Sequence, residues 1–322
     1  MQQFKFRLDY LLGISKWMAM MLILFAFSTS CKKSNNNSNP PATNTITDIV
    51  STNSNFTILK AAVVKAGLAT TLSSTGPFTV FAPSDTAFMG SGITLSVVNS
   101  LSATQLSKIL LYHTIAAKIL AANVPVGPNA KVITASMDSV FVTNNANGVF
   151  VNGIPVVQAN TMASNGVIHT LARVLMPPVG NIVQTAQADT MFTYLVAAIL
   201  RASQGSVDVA TLLSSGGIFT VFAPTNNAFR AAGYATIDDI NAADPATLTS
   251  ILTYHVIAGR VFSSDLSEGL MPATLNPEKV TITLAGGAAV KGYSNTTKSN
   301  IIATNIVASN GVIHVIDQVL LP

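Results

Sequence analysis

Apolar positions along the chain fall into a small set of patterns, and each pattern occurs twice. Phe56, Leu59 and Val63 are spaced i, i+3, i+7, as are Phe192, Leu195 and Ile199, which predicts one buried helical face in each place. A second stripe, Leu106, Ile109, Leu110 and His113, recurs as Leu248, Ile251, Leu252 and His255, with the period of a core-facing helix. Asp244 followed by Pro245 supplies a cap and a first-turn proline for the later of these helices. The histidine closes each stripe and is expected to point inward, with the adjacent Tyr112 or Tyr254 toward the flank. Between the helices, TVFAP reads as a short strand ended by proline, and Ser84 or Thr225 then stands where a helix N-cap belongs.

Downstream the period drops to two. SVFVTNN, GVFVNG and KVTITLAGG read as strands, and so do VIHTLARVL and VIHVIDQVL, each entered through the word SNGVIH at 164–169 and 309–314. Asn165-Gly166 and Asn310-Gly311 tolerate positive φ, so a tight turn is predicted before each of the last two. His169 shares a face with Val167 and Leu171, and His314 with Val312 and Ile316. The chain has only four histidines, and all four therefore lie on apolar faces. Buried polar groups are nearly always paired, so these imidazoles are expected to be supports bonded to backbone. Helices gathered early and strands gathered late indicate an α+β fold rather than alternating βαβ units.

The order of blocks is the same in both halves. GPFTVFAPSDTAF (76–88) matches GIFTVFAPTNNAF (217–229), FTILKAA matches FTYLVAA, and YHTIAAKIL matches YHVIAGRVF. The period is a whole domain, far longer than the roughly 20–50 residues of a solenoid unit. Two tandem domains at 43–178 and 180–322 are expected, each large enough for its own core. Only MPPVGNI (176–182) joins them, and Pro177 and Pro178 predict a restricted relative orientation.

Composition narrows the class. The chain of 322 residues is 49% hydrophobic and 9% charged, against roughly 25% charged in an average soluble protein. Ser, Thr and Asn must supply the wet surface, which suits life outside the cytoplasm. The formal charge of +4 is small and its basic residues are scattered, which argues against nucleic acid as a partner. Residues 1–30 have the layout of a signal peptide: basic residues, the apolar run WMAMMLILFAF, then small residues. Cys31 is the single cysteine, so no intrachain disulfide is possible. The arrangement resembles a bacterial lipoprotein signal, with Thr29 and Ser30 as the small residues and Ser28 in place of the usual Leu or Val. That resemblance implies lipidation at Cys31, a membrane anchor and a Gram-negative cell envelope, with the outer membrane as the expected address. Cleavage by ordinary signal peptidase is the alternative. Residues 31–42, rich in Ser and Asn, are expected to act as a flexible tether. They lack the acidic residues that mark similar lipoproteins for the cell surface, so the membrane face stays open.

Taken together, FTILKAA, TVFAPSDTAF, YHTI and NGVIH, repeated as FTYLVAA, TVFAPTNNAF, YHVI and NGVIH, resemble the fasciclin domain. The likeness implies two α+β wedges, each a twisted sheet packed with helices. It implies adhesion through a glycan or protein ligand, and it makes Tyr112, His113, Tyr254 and His255 candidate contact residues. His169, His314, Asn165, Gly166, Asn310 and Gly311 are structural on this reading. No G-x-S-x-G elbow, P-loop, H-E-x-x-H or C-x-x-C is present, and neither a catalytic residue, a cofactor nor a metal is expected. A membrane-anchored adhesion module is the first expectation. The alternative is a structural or accessory envelope lipoprotein, for instance beside a polysaccharide-uptake system. Asp85-Thr86-Ala87, Asp138-Ser139-Val140 and Asp189-Thr190-Met191 also resemble a bacterial O-glycosylation acceptor.

The anchor has a direct assay. Cells fed a clickable fatty acid are expected to label the wild-type chain and not Cys31→Ala; equal labelling, or none in either, removes lipidation at this site.

Overall fold

Side-chain caps set where the helices begin. Thr45 and Asp48 form a capping box at the start of the helix Ile46–Thr52, and Asn181 with Gln184 does the same for Ile182–Gln187. Each copy thus opens one helix earlier than the stripes at Phe56 and Phe192 suggest. With 7 and 6 residues, these first helices are too short to display a periodic stripe. The expected helices follow at Thr57–Lys65 and Thr193–Ala202. The hydroxyls of Ser84 and Thr225 accept from Ala87 and Ala228 backbone N–H, opening Asp85–Gly90 and Asn226–Ala231. Ser102 caps Ala103–Tyr112, and Asp244 caps Pro245–Tyr254 with Pro245 in its first turn.

The computed structural model describes residues 42–215 and 217–322. The signal segment, Cys31 and all but the last residue of the tether lie outside the described residues. In the first copy the strands are β1 (Phe78–Pro83), β2 (Thr114–Ile115), β3 (Gly127–Ile133), β4 (Ser139–Asn145), β5 (Gly148–Val151), β6 (Ile154–Ala163) and β7 (Gly166–Leu171). They form one sheet in the order β2-β1-β7-β6-β5-β4-β3. The second copy has β8 (Phe219–Pro224), β9 (Val256–Ala258), β10 (Thr281–Thr283), β11 (Ala289–Lys291), β12 (Ser299–Ala308) and β13 (Gly311–Ile316), in the order β10-β11-β12-β13-β8-β9. One pair in each sheet is parallel, β1 with β7 and β8 with β13, and the others are antiparallel. The fold is α+β, with helices and a curled sheet in each copy. Among the described residues no helix is long and apolar enough to cross a membrane.

The parallel pair is covered on both faces, which explains why β7 and β13 are buried at every position. Val80, Ala82 and Ile168 pack with Leu59, Val63, Leu106 and Leu110 of the helices. Phe81 and Leu171 point the other way, into a second cluster with Tyr112, Ile115, Val140 and Val151. The second copy repeats this division, with Val221 and Ala223 toward the helices and Phe222 and Ile316 in the far cluster. None of these four clusters mixes side chains from both copies, although Pro41–Pro322 forms one compact unit.

The SNG words close tight β6–β7 and β12–β13 turns, but not in the way the Asn-Gly step suggests. The pairs Ala163↔Gly166 and Ala308↔Gly311 place Ser164-Asn165 and Ser309-Asn310 at the turn centres, and none of these residues has positive φ. Glycine is required for space instead. A Cβ on Gly166 would lie 2.1 Å from the Phe78 carbonyl oxygen, and one on Gly311 2.2 Å from that of Phe219. Both substitutions would push apart the parallel pair on which each core is built. We therefore expect Gly166→Ala to lower stability by roughly 2–3 kcal/mol, measured by urea unfolding. Gly90→Ala, where nothing lies within 4 Å of the added methyl, is expected to leave stability unchanged or slightly higher.

Candidate functional site

The YH pairs stand at helix C-termini that run into the fold. Tyr112 and Tyr254 are the last helical residues, and His113 and His255 are the C-caps. Each imidazole Nδ1 donates to the carbonyl one turn back, Ile109 or Ile251, at 2.8 Å. Each Nε2 then accepts from a backbone N–H at 2.9 Å, that of Leu175 in one copy and Leu320 in the other. Both ring nitrogens are used, which requires the neutral Nδ1–H tautomer. The rings are only 2% and 1% exposed. Burial, partly opposed by the bond to the helix carbonyl, pulls their pKa down to about 4.

The tyrosines do not lie on the flank. Both are 0% exposed, because the helix end is enclosed by the curl of the sheet and the expected outer flank faces the far cluster instead. Tyr112 donates to the Ser139 carbonyl and accepts from Asn152 Nδ2, each at 3.0 Å. Burial, the largest influence on its phenol, pushes the pKa up to about 12. Tyr254 donates to the Lys279 carbonyl and accepts from Tyr293 N–H, each at 2.8 Å. The four candidate contact residues are thus interior ties with no surface to offer a ligand in this structure.

The other histidines and the turn asparagines are also used internally. His169 Nε2 bonds the Ile119 carbonyl at 2.8 Å and His314 Nε2 that of Val261 at 2.9 Å. Their rings sit against Phe81 and Phe222, with centroids 5.9 and 5.8 Å apart. His169 Nδ1 accepts from Asn160 N–H at 3.3 Å, whereas His314 Nδ1 has no partner. Asn165 accepts from Ile46 N–H at 3.0 Å and donates to the Leu72 and Ser74 carbonyls at 2.8 and 2.7 Å. Asn310 accepts from Ile182 N–H and donates to the Leu213 carbonyl. One side chain therefore ties the hairpin turn to the first helix of its copy and to a further short helix, Ala69–Ser73 or Val209–Ser215. The four histidines are not brought together, and among the described residues no group of three or more His, Cys, Asp or Glu could hold a metal ion. In the acceptor-like triplets, Thr86 and Thr190 are exposed, while Ser139 is half-buried at the start of β4.

Sequence patterns did not reveal how the copies meet. Arg260, six residues after Tyr254, lays its guanidinium over the Phe141 ring of the first copy, 4.2 Å from the centroid. The same guanidinium donates to the carbonyls of Ala308, Ser309 and Gly311 around the second hairpin turn. Its charge is only weakly hydrated there, and burial draws its pKa down to about 10. Asn129, with φ of 60°, donates to the Arg260 carbonyl at 2.8 Å and to Asp265 at 3.2 Å. Thr143 donates to Asp265 at 3.2 Å, and Asn145 to the Ser264 carbonyl at 3.1 Å. Beside these ties lies a cleft of about 490 Å³ lined from both copies, by Lys131, Asp138, Ser139 and Phe141 from one and Arg260 and Ser309 from the other. Met137 and Ile218 at its edge are 81% and 47% exposed.

This architecture is matched by known proteins. The family model described as the fasciclin domain fits residues 54–177 and again 191–322. The chain belongs to the fasciclin-domain family and carries two tandem copies of its domain, in a family of adhesion-related extracellular proteins. A Synechocystis protein, sll1483, is 34% identical over 174 residues, covering 54% of this chain and 91% of that one. The transforming growth factor-beta-induced protein ig-h3 of Oryctolagus cuniculus is 30% identical over 253 residues, covering 77% of this chain and 35% of its own. The chain therefore spans about a third of that larger relative. A solved FAS1 domain pair from the insect cell adhesion molecule Fasciclin I aligns over 82% of this chain and 96% of its own, at 19% identity and a TM-score of 0.39.

The buried imidazoles make stability depend on pH. With a folded pKa near 4 and an unfolded value near 6.5, the unfolded chain binds more protons between those limits. Their contribution is fully present above pH 6.5 and is lost as pH falls toward 4, roughly 3 kcal/mol for each of His113 and His255. Urea midpoints measured from pH 7.5 down to 4.5 are expected to fall, and the fall to be shallower in His255→Ala, which starts lower by roughly 2–4 kcal/mol. Equal slopes for the two proteins would contradict the neutral, bridging imidazole.

Proposed function

We propose that the protein is an anchored, extracytoplasmic binding module in which the junction between the copies meets the ligand, a glycan or a protein surface. The observation that carries this reading is the cleft built from both copies and braced by Arg260 and Asp265. Ligand sites favour such boundaries, because two elements can converge polar groups there without breaking either core. The cleft mixes hydroxyl groups, one carboxylate and two cations beside exposed apolar edges, a lining suited to hydroxyl-rich or mixed surfaces rather than to a single strong charge. Membership in an adhesion-related family supports the same reading, and the layout of residues 1–31 supports the anchor and an envelope address. The YH pairs enter it as supports beneath the surface.

Glycan-array and pull-down measurements on residues 42–322 test the proposal. Binding is expected in at least one, weakened about tenfold by the pair Lys131→Ala and Asp138→Ala with little change in melting temperature. Silence in both assays favours a structural envelope role, and binding that ignores the cleft substitutions moves the site elsewhere.

A further inference from the structure

The copies differ on the face where β1 and β7 carry Phe81 and His169. In the first copy that face holds a cavity of about 250 Å³ lined by Phe81, Ile115, Val132, Val142, Val149 and Val156, among others. An engineered apolar cavity of about 150 Å³ already accepts a benzene-sized molecule and otherwise stays dry. The cavity opens to solvent on the side where Lys118, Asn123 and Pro125 are exposed.

The second copy shows how the same space is closed. Four lining residues of the first copy, Val124, Ala130, Val132 and Val156, correspond by repeat and by strand register to Leu266, Val280, Ile282 and Ile301. Every one of these counterparts is larger. Leu266, Val280 and Ile282 are buried in the far cluster, and Ile301 packs against it. Val142 and Ile119 go the other way, with Gly292 and Val261 as their smaller counterparts. At those four positions the first copy lacks methyl groups that its sister packs into the far cluster.

The polar groups around the cavity are divided in their roles. Thr79 donates to the Ala117 carbonyl and accepts from Ile119 N–H, and both nitrogens of His169 are engaged. Lys118 and Asn123 line the cavity with side chains that make no hydrogen bond within the described residues, and no carboxylate shares the lining. Lys118 stands at the position of Arg260, whose guanidinium is consumed by the junction. An apolar chamber with an uncommitted ammonium and amide calls for a hydrocarbon chain that ends in an anion.

We infer that the cavity of the first copy binds a medium-chain fatty carboxylate, its tail against Phe81, Val132 and Val156 and its head group at Lys118 and Asn123. This site is separate from the junction cleft. It can be tested by calorimetric titration of the full chain, in detergent-free buffer, with straight-chain carboxylates up to decanoate, kept below their micelle concentrations.

One decanoate per chain is expected, with affinity rising about fourfold per added methylene until the chamber is full. Lys118→Gln is expected to weaken decanoate about fivefold and leave decanol unchanged. The triple change Val124→Leu, Ala130→Val and Val132→Ile copies the packing of the second domain. It is expected to weaken decanoate at least tenfold while keeping or raising the melting temperature. Should the triple fold poorly, Val132→Ile alone is expected to lower affinity in the same direction. Absence of saturable decanoate binding, binding untouched by these cavity-filling changes, or an equal loss of decanol and decanoate in Lys118→Gln would each overturn the inference.

Discussion

A neutral imidazole joining a helix end to the last segment of its domain is the tie on which each copy depends. His113 and His255 take a helix carbonyl on one nitrogen and a backbone N–H from Leu175 or Leu320 on the other. Because the rings are buried, a proton on Nε2 would remove the acceptor and leave a charge without a counter-ion. The same helix end carries the tyrosine inward, where its hydroxyl fastens the start of β4 in one copy and the chain just before β10 in the other. Two adjacent residues thereby connect the helical layer, the parallel strands and the far cluster, a role in assembly that accounts for their recurrence in both copies.

Duplication of this scaffold leaves freedom at positions that do not hold it together. Lys118 and Arg260 occupy the same place after the YH word, yet their surroundings differ. Arg260 has a planar guanidinium that can stack on Phe141 and still donate to three carbonyls, which a lysine ammonium cannot do. It has become the bolt between the domains. Lys118 has no such partner and stays beside a chamber that smaller side chains have left open. The cation of the second copy is thus committed to the junction, whereas that of the first stands beside an unfilled pocket.

Much of this is legible in the amino-acid sequence. The helix stripes at Leu59 and Leu195, the TVFAP strands, the caps at Ser84, Thr225 and Asp244, and the inward set of all four histidines follow from spacing alone. The first helices leave no such mark, because Ile46–Thr52 and Ile182–Gln187 are too short for periodicity, although their capping boxes are readable. Asn160 and Asn305 leave no mark either. Both adopt positive φ, at 60° and 65°, within irregular stretches of β6 and β12, and their carboxamides accept from Ala121 and Ser263 N–H. Nothing local distinguishes them from the many other asparagines of the chain.

The sequence by itself determined the two-copy organisation, the α+β class and which residues face apolar neighbours, because periodicity and caps act over a few residues. Only the tertiary structure decided the direction of Tyr112 and Tyr254, the spatial demand for glycine at Gly166 and Gly311, the Arg260 junction and the chamber beside Lys118. Each of these depends on groups brought together from distant parts of the chain, where close approach and desolvation, rather than local preference, determine what a side chain can do.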